Sequence, residues 1–127
     1  MADTDKLGVD SPFHQDLLRR IRQLCLSFPN VSERLSHGAP TFFYKEKKSF
    51  VQYHDNHHGD GRIALWCAAD SDVQTILVQS NPDVYFLPAY VAHLGWIGIR
   101  LDRDARWEEI ESIIGDAYIN RAKPKRK

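Results

Sequence analysis

Apolar residues recur along this chain with two periods, and the changes of period lay out its elements. From Phe13, the positions Leu17, Ile21, Leu24, Cys25 and Phe28 follow at threes and fours, one stripe of a helix. Ser11 suits the N-cap, Pro12 the first helical position, and Pro29 stops the helix. Asn30 to His37 shows no clean period and reads as a connector. Thr41 to Lys45 (TFFYK), Ser49 to His54 (SFVQYH) and Arg62 to Ala68 (RIALWCA) are rich in strand formers and read as a meander. Glu46-Lys47-Lys48 reads as a hairpin tip, and the glycine-containing Asp55 to Gly61 as a polar loop. Asp70 or Ser71 caps a second helix through Gln79, with Val73, Ile76 and Leu77 inward. Asp83 to Leu94 is aromatic, proline-marked and aperiodic, which predicts a packed loop. Ile97, Ile99 and Leu101 then alternate with Trp96, Gly98 and Arg100 as a strand. Asp104 caps a last helix with the stripe Trp107, Ile110, Ile113, Ile114, Ala117 and Tyr118.

The order α-β-β-β-α-β-α predicts an α+β fold, a small antiparallel sheet with helices packed on one face and the other partly open. Residues 11–120 make a single domain, residues 1–10 a flexible N-terminus and residues 121–127 (RAKPKRK) a basic tail.

Length and charge narrow the function classes. A chain of 127 residues with 43% hydrophobic and 27% charged residues suits one ordinary domain. The formal net charge of zero argues against a wholly electrostatic nucleic-acid binder, though it permits a local basic face. No apolar run approaches the roughly 18–20 residues of a membrane span. The acidic start MADTDKLGVD lacks the apolar core of a signal peptide. Cys25 and Cys67 sit in apolar periodic contexts and read as reduced core thiols of a cytoplasmic protein.

Motifs for catalysis are missing. The histidines His14, His37, His54, His57, His58 and His93 show no metal-ligand spacing, so no metal or cofactor is expected. His57 and His58 read as solvated loop residues, and His37 and His93, each beside a glycine turn, as structural hydrogen-bonders. Neither cysteine has a neighbouring base, and no nucleophile or phosphate-loop motif occurs, so the chain reads as a non-enzyme. Aromatic residues are the positive signal. His37, Phe42, Trp66, Tyr90, His93, Trp96 and Arg100 form the candidate set for a small aromatic ligand. Arg19, Arg22, Lys45, Lys47, Lys48, Lys123, Lys125 and Arg126 form the candidate set for nucleic-acid phosphates. A protein-interaction domain using the open sheet face is a further reading, and the chain is expected to be a monomer or weak dimer.

Ser36 to Phe43 (SHGAPTFF), Ile63 to Ala68 (IALWCA) and Asn81 to Asp102 (NPDVYFLPAYVAHLGWIGIRLD) resemble the MmcQ/YjbR-like family, from about Asp16 to Tyr118. Gly38, Pro40, Phe42, Pro88, Tyr90, His93, Gly95 and Trp96 carry the likeness. Pro88-Ala89-Tyr90 departs from relatives that have two prolines before the tyrosine. The resemblance implies an α+β fold related to the frataxin-like (CyaY-like) arrangement, of a double-wing type associated with DNA binding. It carries no catalytic residues, and the net basic first helix does not match frataxin-like iron binding.

Overall fold

Each strand of the sheet pairs antiparallel with its neighbours, in the spatial order Val31–Ser36, Ala39–Tyr44, Lys48–Asp55, Ile63–Cys67, Ile97–Arg100, Tyr85–Phe86. The computed structural model describes residues 12–123, with side chains from residue 15 onward. The expected Ser11 cap, the N-terminal ten residues, Lys125 and Arg126 lie outside that description, as do the side chains of Phe13 and His14. In chain order the elements are α1 (Pro12–Leu26), β1 (Val31–Ser36), β2 (Ala39–Tyr44), β3 (Lys48–Asp55), β4 (Ile63–Cys67), α2 (Ser71–Ser80), β5 (Tyr85–Phe86), β6 (Ile97–Arg100) and α3 (Trp107–Ala122). The α+β class and the order of the predicted elements hold, and two edge strands join them.

The first added strand is β1, where a connector was expected. Its sequence, VSERLS, lacks an apolar alternation because an edge strand has one neighbour and Leu35 stays exposed. His37 and Gly38 join it to β2 with φ of 52° and 83°, the left-handed pair of a two-residue hairpin turn. The second is β5, two residues inside the expected loop, held by Tyr85 opposite Ile99 and Phe86 opposite Gly98. The β2–β3 tip is Lys45-Glu46-Lys47 rather than Glu46-Lys47-Lys48. Lys45 and Glu46 take positive φ, and Lys48 already pairs with Tyr44.

Register sorts the side chains onto two faces. Glu33, Phe42, Val51, Cys67 and Ile97 lie opposite one another in a row across five strands. That face meets the helices. Arg22 of α1 forks onto Glu33, and Tyr118 of α3 meets Tyr44 edge-on at 5.6 Å. Ile21 and Cys25 of α1 and Ile110, Ile113, Ile114 and Ala117 of α3 fill the core there. The neighbouring row is Arg34, Thr41, Gln52, Trp66, Gly98 and Phe86, on the opposite face. A bulge at Phe50, between the Phe42–Val51 and Phe43–Ser49 pairs, bends β3.

Two helix expectations need correction. Asp70 caps α2, its Oδ1 accepting the Val73 N–H at 2.9 Å, but α2 buries no residue. Val73 and Ile76 are exposed instead of inward, while Leu77 packs against the core as expected, with Val78 beside it. Polar anchoring adds to that contact: Gln74 Nε2 donates to the Ala92 and Trp96 carbonyls at 2.9 and 2.7 Å. The last helix starts at Trp107 with Arg106 at its N-cap, so Asp104 does not cap it.

Candidate functional site

Trp66 lies at the centre of the face opposite α1 and α3, between Gln52 and Gly98. Gly98 lets the Phe86 ring lie close over the strand: a Cβ there would stand 2.4 Å from the ring and push it aside. Arg62 in turn lies 4.1 Å over Phe86. On the other side His54 stacks on the indole at 3.8 Å between ring centres, tilted by 32°. Its Nε2 is 2.9 Å from Gln52 Oε1. The loop after β3 folds back over the sheet, and a short 3-10 turn at 57–59 sets the His57 ring edge-on to Trp66 at 4.8 Å. Tyr90, from the loop before β6, completes the layer, with its hydroxyl 3.2 Å from His58 Nε2.

Trp66 is thereby 3% exposed, and its Nε1 is buried without a hydrogen-bond partner. An unpaired buried N–H costs about 1–3 kcal/mol. Asn56, His58 and Tyr90 around it hold left-handed backbone, which non-glycine residues adopt at a cost. Burial disfavours the charged form of the two imidazoles packed on Trp66. Burial, then His57, lowers the pKa of His54 to about 4, with Asp60 opposing, and burial with His58 lowers that of His57. Arg100 lies one row away opposite Ala64, but it forks onto Asp102 at 3.1 and 3.0 Å.

Of the expected ligand residues, the fold brings together Trp66 and Tyr90. Phe42 is fully buried on the helix-covered face, so it is core. Trp96 is also buried, with its carbonyl held by Gln74. His37 sits in the β1–β2 turn and His93 in a 3-10 turn at 92–94, both exposed and outside the ring cluster. His54, His57 and His58 are the residues missed. The signal that would have found His54 is its parity on β3, which puts it on the Trp66 face once β3 and β4 pair.

The expected phosphate-binding residues divide. Arg19 pairs with Asp16, Arg22 forks onto Glu33 at 2.6 and 2.7 Å, and Arg20 covers Trp107 at 4.0 Å. The first-helix arginines are therefore engaged within the domain. Lys45 and Lys47 are exposed at the β2–β3 tip and Lys48 is half-buried beside them. Among the described residues none of these lysines is in an ion pair. A shallow depression of about 290 Å³ adjoins the tip, lined by Asn30, Val31, Ser32, Lys45 and Glu46. Lys123 lies exposed at the end of α3.

Among the described residues no cluster of histidine, cysteine, aspartate or glutamate is arranged for a metal ion, and no helix is long and apolar enough to cross a membrane. Cys25 and Cys67 are free and buried, and burial pushes both thiols well above their ordinary pKa.

Among solved structures, the chain is similar to the crystal structure of Deinococcus radiodurans protein DR2400, described as a DUF419 domain. The TM-score is 0.69 at 16% identity, over 81% of this chain and 76% of that one, which is a likeness of fold. Among curated proteins none matches. A family model described as YjbR matches residues 26–119, which span β1 to α3 and hold both the Trp66 cluster and the lysine tip. This chain belongs to the YjbR family.

Proposed function

We propose that this chain is a non-enzymatic binding domain that contacts DNA phosphates through the β2–β3 tip. The observation that carries this reading is the tip itself. Lys45, Lys47 and Lys48 are gathered on one hairpin without a carboxylate partner among the described residues, beside a depression lined by Asn30 and Ser32. Lysine ammoniums and small polar side chains are the groups that hold phosphate oxygens. The DNA-binding association of the resembled family points the same way, as an argument from fold. The buried, protonated thiols support a non-enzymatic role and a reducing, cytoplasmic setting. A monomer or weak dimer suffices for such a contact.

Three phosphate contacts give a log–log salt slope of about −2.7 and a non-specific Kd of roughly 10⁻⁴–10⁻⁶ M. The test is fluorescence anisotropy of a labelled duplex at low and moderate salt, with the chain cut after Lys123. Cutting earlier would remove part of α3, where Arg121 Nε donates to the Ser49 carbonyl at 2.9 Å. Lys47→Glu with Lys48→Glu abolishes the salt-dependent binding if the tip is the contact. Binding that disappears with residues 124–127, or that ignores the charge reversal, refutes the reading.

A further inference from the structure

The Trp66 cluster lies on a different part of the sheet from the lysine tip, and its chemistry suits a different ligand. Trp66 Nε1 is a hydrogen-bond donor only. It is buried and has no partner, and neither imidazole packed on the indole turns a ring nitrogen to accept from it. Burial disfavours the imidazolium of the two rings on the indole, His54 and His57. The nearby cations are already occupied, Arg62 on Phe86 and Arg100 on Asp102. What the cluster can recognise is therefore a flat neutral ring with an acceptor on its edge.

The roof is also built to lift. Its loop is closed on itself: the Asn56 N–H donates to the Arg62 carbonyl at 2.7 Å and the Gly61 N–H to Asn56 Oδ1 at 2.7 Å. The Arg62 N–H donates to Asp60 Oδ1 at 2.9 Å. The 3-10 turn inside it buries no residue. The hydrogen bond described between this turn and another element is that of His58 with Tyr90, at 3.2 Å. Tyr90 is 71% exposed. Displacing His57 and His58 as a unit therefore takes one of the two imidazoles off the indole while the strand ends stay paired.

We propose that this cluster binds a neutral planar heteroaromatic ring bearing a ring carbonyl, of the kind found in nucleobases. The carbonyl accepts the Trp66 Nε1–H, so the ring takes the place of His57 with its edge toward the indole and one face against Tyr90. Stacking on aromatic faces is tolerant of ring identity, so the acceptor supplies the selectivity.

The experiment uses the full chain and follows the Trp66 indole N–H resonance during titration with uracil and with hypoxanthine. A single-stranded oligothymidine provides a second arm, and naphthalene, flat but without an acceptor, serves as control. Trp66→Phe assigns the resonance by removing it. The expected result is a saturable downfield shift of that resonance with uracil or hypoxanthine and none with naphthalene. Trp66→Phe then weakens binding, read by calorimetry, about tenfold. Tyr90→Ala, at an exposed position that leaves the fold intact, weakens it about fivefold. Lys47→Glu with Lys48→Glu leaves it unchanged, which separates this site from the proposed duplex contact. A shift with oligothymidine alone, lost in Tyr90→Ala, identifies the ring as a base within a single strand. The proposal is overturned if no carbonyl-bearing ring moves the resonance, if naphthalene binds equally well, or if Tyr90→Ala binds as the parent does.

Discussion

Gly95 ends the 3-10 turn at 92–94 with φ +91°, and its missing side chain faces the start of α2. A Cβ there would stand 2.9 Å from the Asp70 carbonyl carbon and from the Ser71 nitrogen. Those atoms are backbone, and they belong to the capped end where Asp70 Oδ1 accepts the Val73 N–H. They cannot retreat without loosening the cap. Gly95→Ala therefore carries two costs, about 1–2 kcal/mol for an alanine in left-handed backbone and about 1–3 kcal/mol for the overpacked contact. Gly38→Ala separates the two. Gly38 has φ +83° with nothing within 4 Å of a built Cβ, so it carries the conformational cost alone. Urea denaturation of parent and both variants, fitted with a common m-value, gives the difference. Gly95→Ala is expected to lose about 1–3 kcal/mol more than Gly38→Ala, a large part of a typical stability of ~5–15 kcal/mol. Equal losses in the two variants would refute the argument that α2 rests on this glycine.

The pKa of His54, lowered by burial to about 4 from an ordinary 6.5, makes stability pH-dependent. The unfolded chain takes up this proton first, so the neutral ring's contribution is complete above about pH 6.5 and is lost as pH falls toward 4. The full displacement corresponds to ~3 kcal/mol, and solvent screening of a half-buried ring reduces it to about 1–2 kcal/mol. Urea midpoints at neutral and acid pH should therefore fall further for the parent than for His54→Phe, which keeps a ring on Trp66; identical pH profiles would sink the claim. Tyr85→Phe removes the hydroxyl that donates to Glu109 Oε1 at 2.5 Å and joins β5 to α3, and should cost about 1–2 kcal/mol by thermal or chemical denaturation. Arg22→Ala removes the fork onto Glu33 from a pair that is partly open to solvent. A loss of about 0.5–1 kcal/mol that shrinks at high salt is expected, and an unchanged midpoint would show that the pair contributes nothing.

How much of this molecule was legible in its sequence depends on whether a local pattern or a partner decides each residue's place. The strands β2, β3, β4 and β6 announce themselves because both their neighbours are in the sheet and their side chains alternate. β1 does not, since one side of it is open; its signal was the His37-Gly38 turn, which needs two left-handed residues and defines a hairpin whatever the flanking polarity. The second helix was legible as a helix from its cap, but its facing only in part: Leu77 packs on the core as expected, while Gln74 rather than Val73 or Ile76 makes the remaining anchor. The same limit governs the site. Phe42 and Trp66 look equivalent in sequence, each an aromatic on an alternating strand. Phe42 pairs with Val51 and Trp66 with Gln52, neighbours on β3, so the two rings necessarily point to opposite faces. Once α1 and α3 cover the Phe42 face, Phe42 becomes core and Trp66 must be covered by whatever loops can reach it. The loops within reach carry histidines and a tyrosine, which can stack on an indole but, as they sit here, leave its N–H unanswered. Strand parity sets which aromatic is available, and the chemistry of the covering loop sets what that aromatic still lacks.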